Sequence, residues 1–182
     1  FILKQATDKS IELAKEKGTF PAFEESSWDR QKIQVRNATL TTIAPTGTIS
    51  IIAGPTSSGI EPLFAISYYR NVMDNDKLVE VDALFEEVAK KRGFYSHKLM
   101  EKIAESASIQ EITEIPQDVR KVFVTSHDIS PEWHIRMQAV FQKYTSNAVS
   151  KTINFSQDAT VEDVRNAYLL AYELGCKGLT VY

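Results

Sequence analysis

The sequence has little cysteine and histidine. Its 182 residues include one cysteine, Cys176, and three histidines. A single thiol excludes the disulfide framework that stabilises small secreted domains, and it fits a protein of the reducing cytoplasm. His97, His127 and His134 lack the i, i+4 spacing of helical metal ligands, so the sequence predicts no metal site. We expect His134 and Cys176 to have structural roles, because free cysteine is among the most buried residue types.

Strong net charge and long apolar runs are also absent. The formal net charge is −3, and no basic stripe with interleaved aromatic residues is present, so we expect no nucleic-acid partner. No apolar run approaches the roughly 20 residues that a membrane-spanning helix needs, and no signal-like segment is present. We therefore expect no membrane partner. Hydrophobic residues make up 43% of the chain, which is enough for one domain with a core.

Helical and strand-like segments alternate along the chain. The predicted helices are residues 2–17, 49–53, 78–93, 96–105 and 116–123, a helix that follows Ser130-Pro131, and a helix from Thr160 to Gly175. The predicted strands are residues 38–44, 67–73 and 147–155. This alternation favours an α/β fold with right-handed crossovers, but it does not distinguish an open sheet from a barrel.

A hydroxyl-rich turn, Pro-Thr-Gly-Thr-Ile-Ser, follows the first predicted strand. Pro45 ends that strand, and Gly47 is expected to let the backbone turn where a side chain would clash. Thr46, Thr48 and Ser50 place hydroxyl groups beside the free N–H groups of a following helix, which can hold phosphate oxygens. The alternative interpretation is a capped strand-to-helix connection without a ligand. The turn has no lysine, so it is not a P-loop.

Four blocks of sequence resemble ribonucleotide reductases, specifically the C-terminal part of the catalytic barrel of the adenosylcobalamin-dependent class (class II). These blocks are residues 41–65, 134–142, 147–154 and 175–182. They occur in the family's order, whereas residues 1–36 resemble the family only loosely. Four ordered blocks are a far more specific signal than the turn alone.

The resemblance implies the C-terminal portion of the family's ten-stranded α/β barrel. Residues 1–36 would be a helical lead-in, and residues 37–182 would supply barrel strands and helices, all within a single fragment of the barrel domain. Phe1 is not an initiator methionine, and Tyr182 lies in what resembles a strand just begun, so we expect a longer protein.

Alternation along residues 147–155 separates two faces of the predicted strand. In a barrel, the small and polar face would line the lumen, whereas Lys151 would face the surrounding helices. The members of the first face are Ala148, Ser150, Thr152 and Asn154, and those of the other are Val149, Ile153 and Phe155.

The resemblance also implies a function, which is the radical reduction of ribonucleotides to 2′-deoxyribonucleotides. Pro45, Thr46, Gly47, Thr48 and Ile49 would hold the phosphates of the ribonucleotide substrate. The full-length enzyme would use adenosylcobalamin and a thioredoxin-like or dithiol reductant in the cytoplasm, and the resemblance allows a homodimer.

The family's catalytic cysteines have no counterpart in this chain. The family uses one cysteine as a thiyl radical and two as the reductant, and its Asn-x-Cys-x-Glu loop is absent here. Cys176 matches a Gly-Cys-Lys-Gly block near the end of the barrel, so we expect no catalytic residue in this segment. Two alternatives stay open: a non-catalytic homologue that binds nucleotides or supports assembly, and an unrelated phosphate-binding α/β enzyme. The second would explain the turn but not the later blocks.

Overall fold

Eight helices and four short strands make up the regular structure of the described residues. The computed structural model describes residues 1–54, 57–71, 77–106 and 108–182. The helices are α1 (Ile2–Lys17), α2 (Ser27–Arg30), α3 (Gly47–Ala53), α4 (Ala83–Lys91), α5 (His97–Ala104), α6 (Gln117–Val122), α7 (Pro131–Gln142) and α8 (Val161–Glu173). The strands are β1 (Ser67–Asn71), β2 (Lys77–Val81), β3 (Thr152–Ile153) and β4 (Thr180–Val181). In the described ranges, no helix is long and apolar enough to cross a membrane.

Extended segments from the first and last parts of the chain pair in parallel. β3 pairs in parallel with β4, with Thr152 opposite Thr180 and Ile153 opposite Val181. α8 connects these two strands, as parallel pairing requires a crossover. Nearer the start of the same extended run, a parallel bridge joins Val149 to Ile43. The run 147–155 therefore pairs first with residues 41–43 and then with β4.

The predicted strand at residues 38–44 is wrong in extent, because only Ile43 forms a bridge. Side-chain hydrogen bonds replace part of the strand ladder beside it. The hydroxyl of Thr42 donates to the carbonyl of Ala148 at 3.2 Å, and the N–H of Ser146 donates to the hydroxyl of Thr41 at 3.0 Å. Threonine and serine compete in this way with regular backbone pairing.

The predicted strand at residues 147–155 is shortened to β3 and the bridge at Val149. Its predicted alternation is confirmed, since Val149, Lys151 and Ile153 are buried. Ile153 packs in one cluster with Ile135 of α7 and with two alanines of α8. Lys151 lies on this same, helix-facing side, as predicted.

The described residues between 66 and 123 form a separate unit, which lies between two paired extended segments. Its core includes Ile66, Phe85 and Met100 and shares no buried residue with the cluster around Ile153. A parallel bridge joins Leu63 to Thr125 at the base of the unit. We call this unit the insertion, and the segments at its two ends lie side by side.

The predicted helix at 78–93 is wrong in its first part, where the structure has β2. β2 pairs antiparallel with β1, with Ser67 opposite Val81. Val79 and Val81 pack against the insertion core, whereas Leu78 is 55% exposed. This period of two is typical of a half-buried strand. The predicted strand at 67–73 is confirmed as β1, and its last two residues lie outside the described residues.

The other predicted helices are confirmed, with boundaries shifted by a few residues. α8 begins with a capping box, in which Thr160 and Asp163 exchange side-chain and backbone hydrogen bonds. α7 begins at Pro131 as predicted. Ser130 holds its N-cap position, but its side chain makes no capping hydrogen bond.

Candidate functional site

The phosphate turn predicted at residues 45–49 lies at the start of α3 and at the surface. Thr46 is the N-cap, and its carbonyl accepts a hydrogen bond from the N–H of Ser50 at 2.9 Å. The N–H groups of Gly47, Thr48 and Ile49 have no acceptor within the described part of the chain. All three residues are exposed, as is Pro45. The turn thus presents three adjacent backbone donors to its surroundings.

The structure corrects the expected role of Gly47. Thr46, not Gly47, has the left-handed backbone conformation, with φ of 56°. Gly47 is helical, and a Cβ built on it meets no atom within 4 Å. The absence of a side chain at Gly47 therefore relieves no clash within the chain, but it leaves open space beside the backbone donors.

Ser50 differs from the sequence expectation. Its hydroxyl donates to the carbonyl of Gly47 at 2.8 Å and lies 3.0 Å from the hydroxyl of Ser58. It is therefore engaged within the protein, whereas the side chain of Thr46 forms no capping bond to α3. Of the three hydroxyl groups predicted to contact a ligand, those of Thr46 and Thr48 are therefore the remaining candidates.

A supporting segment, residues 57–61, packs against the turn. Gly59 has φ of 57°, and a Cβ built on it would lie 3.0 Å from the carbonyl oxygen of Ala44. The same Cβ position is 3.8 Å from the carbonyl of Pro45 and 3.7 Å from the hydroxyl of Thr46. The backbone of Gly59 therefore approaches the turn more closely than any other residue type would allow.

Glu61 joins this segment to β3 through a largely buried ion pair. Its Oε2 lies 2.6 Å from Nζ of Lys151, and its Oε1 accepts the N–H of Thr152 at 2.6 Å. The side chain of Lys151 is 1% exposed and that of Glu61 is 26% exposed. Burial lowers the pKa of Lys151, and the hydrogen bond to Glu61 opposes this shift. Sequence reasoning missed this pair, because the two residues are 90 positions apart and no local pattern links them.

A cavity of about 510 Å³ lies beside the supporting segment. Thr152 and Asn154, two members of the strand face that was predicted to line a lumen, border this cavity. The turn residues 45–49 do not line the cavity, but Ser58 does, and Ser58 contacts Ser50 of α3. The other lining residues are Ser57, Glu61, Pro62, Leu63, Phe64, Ser126 and Tyr182.

His134 and Cys176 have the structural settings that the sequence predicts. His134 is buried, and its Nε2 lies 3.0 Å from the carbonyl of Ser126, so Nε2 carries the donated proton. Burial lowers the pKa of His134. Cys176 is half-buried beside the α7–α8 cluster, and burial raises the pKa of its thiol, which disfavours the reactive thiolate. Among the described residues, no group of three or more His, Cys, Asp or Glu could hold a metal ion.

Comparison with known proteins identifies the family. A family profile described as "Ribonucleotide reductase, barrel domain" matches residues 31–182. The chain belongs to the ribonucleotide reductase barrel family. The family and the fold class implied by the four sequence blocks are therefore confirmed.

Relatives from two organisms cover the whole of this barrel chain. It is 50% identical over 182 residues to a vitamin B12-dependent ribonucleoside-diphosphate reductase of Thermoplasma acidophilum, of which it covers 23%. It is 45% identical over 181 residues to a protein of the same name from Mycobacterium tuberculosis, of which it covers 26%. The chain thus spans about a quarter of the length of these relatives. The resemblance to the cobalamin-dependent class is confirmed by these names.

A solved structure shows the same barrel architecture. The Actinobacillus ureae class Id ribonucleotide reductase alpha subunit matches 99% of this chain with a TM-score of 0.77 and 26% identity. The match covers 32% of that subunit. The short parallel strands of this chain are therefore part of a reductase barrel.

Proposed function

We propose that this chain forms part of the catalytic barrel of a ribonucleotide reductase and supplies the turn that binds the substrate's phosphates. The reductase converts ribonucleotides to 2′-deoxyribonucleotides by radical chemistry. The proposal rests on the exposed residues Gly47, Thr48 and Ile49 in a chain of this family, because their N–H groups have no acceptor among the described residues.

Backbone dipoles and hydroxyl groups would hold the phosphates. The first N–H groups of a helix carry partial positive charge and favour an anion. The open space at Gly47 allows a phosphate oxygen to approach these groups, and the hydroxyls of Thr46 and Thr48 add donors. The sequence has no lysine or arginine between Arg36 and Arg70. The turn would therefore bind the substrate through hydrogen bonds, and not through an ion pair between a phosphate and a basic side chain of the same segment.

The residues of this chain do not form the radical site. Its one thiol, Cys176, is half-buried with a raised pKa, and one cysteine cannot form an internal disulfide. Adenosylcobalamin supplies the radical in the proposed full-length enzyme, and we assign its binding and the catalytic cysteines to the rest of that protein. This chain contributes substrate binding and barrel wall.

The remaining assignments follow from the same proposal. We propose a ribonucleotide substrate and a thioredoxin-like or dithiol reductant as partners, and the resemblance allows a homodimer. The single cysteine supports a cytoplasmic location. We propose no nucleic-acid or membrane partner.

The test is steady-state kinetics of Thr48→Val and Gly47→Ala in the full-length reductase with CDP as substrate. Thr48→Val removes one hydroxyl and should weaken substrate binding by roughly 1–3 kcal/mol, the usual contribution of a hydrogen bond to a charged group. The change should appear mainly in KM, because phosphate contacts are equal in the ground and transition states. Gly47→Ala should be tolerated least, since its methyl group occupies the space proposed for the phosphate.

The matched control is Thr113→Val, which removes a hydroxyl from an exposed threonine of the insertion. An unchanged KM in both turn variants would contradict the proposal. So would a structure with bound CDP in which the phosphate oxygens lie beyond hydrogen-bond reach of the turn. Binding of CDP without turnover in the full-length protein would instead support the non-catalytic homologue.

A further inference from the structure

The phosphate turn includes a residue in an unfavourable conformation, so neighbouring atoms must hold it. Thr46 is left-handed, with φ of 56° and ψ of 24°. For a residue with a Cβ this conformation is disfavoured by about 1–2 kcal/mol. Such residues keep their conformation only where the surrounding structure restrains them. The restraint at Thr46 must come from outside its side chain, because that side chain makes no capping bond to α3.

The supporting segment (residues 57–61) provides the contacts around the turn. A Cβ on Gly59 would meet the carbonyl oxygens of Ala44 and Pro45 and the hydroxyl of Thr46, so the backbone of Gly59 lies close to the turn. The hydroxyl of Ser58 lies 3.0 Å from that of Ser50, one turn into α3. The segment therefore contacts the residues before the turn, the N-cap and the helix that follows.

The far end of the supporting segment is anchored to the strand wall. Both carboxylate oxygens of Glu61 are used, one by Nζ of Lys151 and one by the N–H of Thr152. Lys151 also contacts the carbonyl of Thr152. A buried charge that loses its partner is strongly destabilising, so the pair holds the segment in one place.

We propose that Gly59 and Glu61 are positioning residues for the phosphate turn. Gly59 sets the backbone of residues 44–46 by close contact, and Glu61 fixes the supporting segment to β3 through Lys151 and Thr152. Neither residue touches the substrate. The inference rests on the proposed function of the turn and adds the residues that determine its shape.

The main test compares Gly59→Ala with Gly93→Ala in the full-length reductase. Both glycines have positive φ, but a Cβ at Gly93 meets nothing within 4 Å, whereas one at Gly59 meets Ala44 at 3.0 Å. The two variants carry similar backbone strain, and only Gly59→Ala displaces the turn. We expect Gly59→Ala to raise KM for CDP about tenfold, equivalent to one lost or misplaced hydrogen bond to a charged group, with kcat within about twofold. Gly93→Ala should leave KM unchanged.

A double variant, Glu61→Gln with Lys151→Met, keeps the test valid if Gly59→Ala fails to fold. It removes the anchor without leaving a buried charge, a replacement that proteins often tolerate. KM for CDP and the inhibition constant of inorganic pyrophosphate, which reads phosphate contacts alone, should both rise several-fold. The thermal midpoint reports any general loss of stability. If the two residues had a merely structural role, the double variant would lower this midpoint without changing KM.

The outcomes separate the two proposals. If Thr48→Val raises KM while Gly59→Ala and the double variant leave it unchanged in folded protein, the positioning role is wrong and the phosphate turn stands. If the variants at Thr48, Gly59 and Glu61 all leave KM unchanged, the proposed function of the turn is wrong and this inference falls with it.

Discussion

At the scale of single residues, Thr46 and Lys151 are each in an energetically unfavourable state that neighbouring residues must offset. Thr46 has a left-handed backbone, and Lys151 is a cation removed from water. Each is compensated by the same short segment, through Gly59 for the first and Glu61 for the second. In our proposal, these two supporting residues shape the phosphate turn without contacting its ligand.

Cys176→Ser tests the structural role of the one cysteine. We expect turnover of the full-length reductase to stay within a few-fold of the parent, since the thiol is half-buried and no reaction step is assigned to it. The free energy of unfolding should fall by about 1–2 kcal/mol, because a hydroxyl is buried less favourably than a thiol. Loss of several orders of magnitude in turnover by a folded variant would assign Cys176 to the chemistry.

The His134→Gln variant tests whether His134 makes the stability of the fold depend on pH. Burial lowers the pKa of His134 below the ordinary value of about 6.5. As the pH falls through about 6.5, the unfolded chain takes up a proton that the folded chain does not, so the free energy of unfolding decreases. Glutamine can still donate to the carbonyl of Ser126 but does not titrate.

The measurement is urea denaturation of the protein at several pH values between about 7.5 and 5.5. The His134→Gln variant should lose less stability over this interval than the parent. His97→Gln, which changes an exposed histidine, is the control. Equal losses in the parent and the His134→Gln variant would show that this ring contributes nothing to acid sensitivity.

At the scale of elements, α7 and α8 begin with similar sequence signals but different contacts. Thr160 accepts the N–H of Asp163 at 3.2 Å, and the Asp163 carboxylate accepts the N–H of Thr160 at 2.8 Å. Ser130 makes no corresponding side-chain bond, and Pro131 follows it. Of these two helices, only α8 is therefore capped by the side chain of its N-cap residue.

The variants Thr160→Ala and Ser130→Ala test this difference in side-chain capping. Thr160→Ala should lower the free energy of unfolding by about 1 kcal/mol, the usual contribution of a side-chain cap. Ser130→Ala should cost clearly less, since no capping bond is lost. Equal effects in chemical denaturation would contradict the assignment.

At the scale of the whole molecule, the described residues contain two separate apolar clusters. One lies in the insertion around Phe85, and the other lies between α7, α8 and the strands around Ile153. The clusters have no buried member in common. Each should respond to mutation independently, because distant sites without shared partners are usually additive.

A double-mutant comparison tests this independence. The effects of Phe85→Leu and Ile153→Val on the free energy of unfolding should add within about 0.5 kcal/mol. Phe85→Leu and Phe123→Leu should not add, because their ring centroids are 5.1 Å apart in one cluster. Strong coupling between Phe85 and Ile153 would show that the two clusters interact energetically.

The 182-residue chain by itself should not reduce a ribonucleotide. One thiol cannot supply a radical, a reducing pair and their proton donor together, whatever cofactor is added. The measurement is an assay of the purified chain with CDP or CTP, adenosylcobalamin and a dithiol. Turnover above background would overturn the assignment of the chemistry to the rest of the reductase.

Local chemistry in the sequence determined most of the helices and the family. Capping residues, glycines after helix ends and the spacing of apolar residues act within a few positions, so α1, α3, α5, α6, α7 and α8 were predictable. Four ordered blocks identified the reductase barrel, and alternation along residues 147–155 indicated its buried face.

Only the tertiary structure decided how the segments pair and what supports the turn. The length of a strand depends on the partner with which it pairs. Residues 38–44 and 147–155 therefore contain fewer strand residues than their composition predicts. The left-handed residue is Thr46 rather than Gly47, and Gly59, which is 13 positions away along the chain, lies close to it. Glu61 and Lys151 are 90 positions apart in the sequence. The packing of β3 against the supporting segment brings them together, and no local sequence pattern predicts this contact.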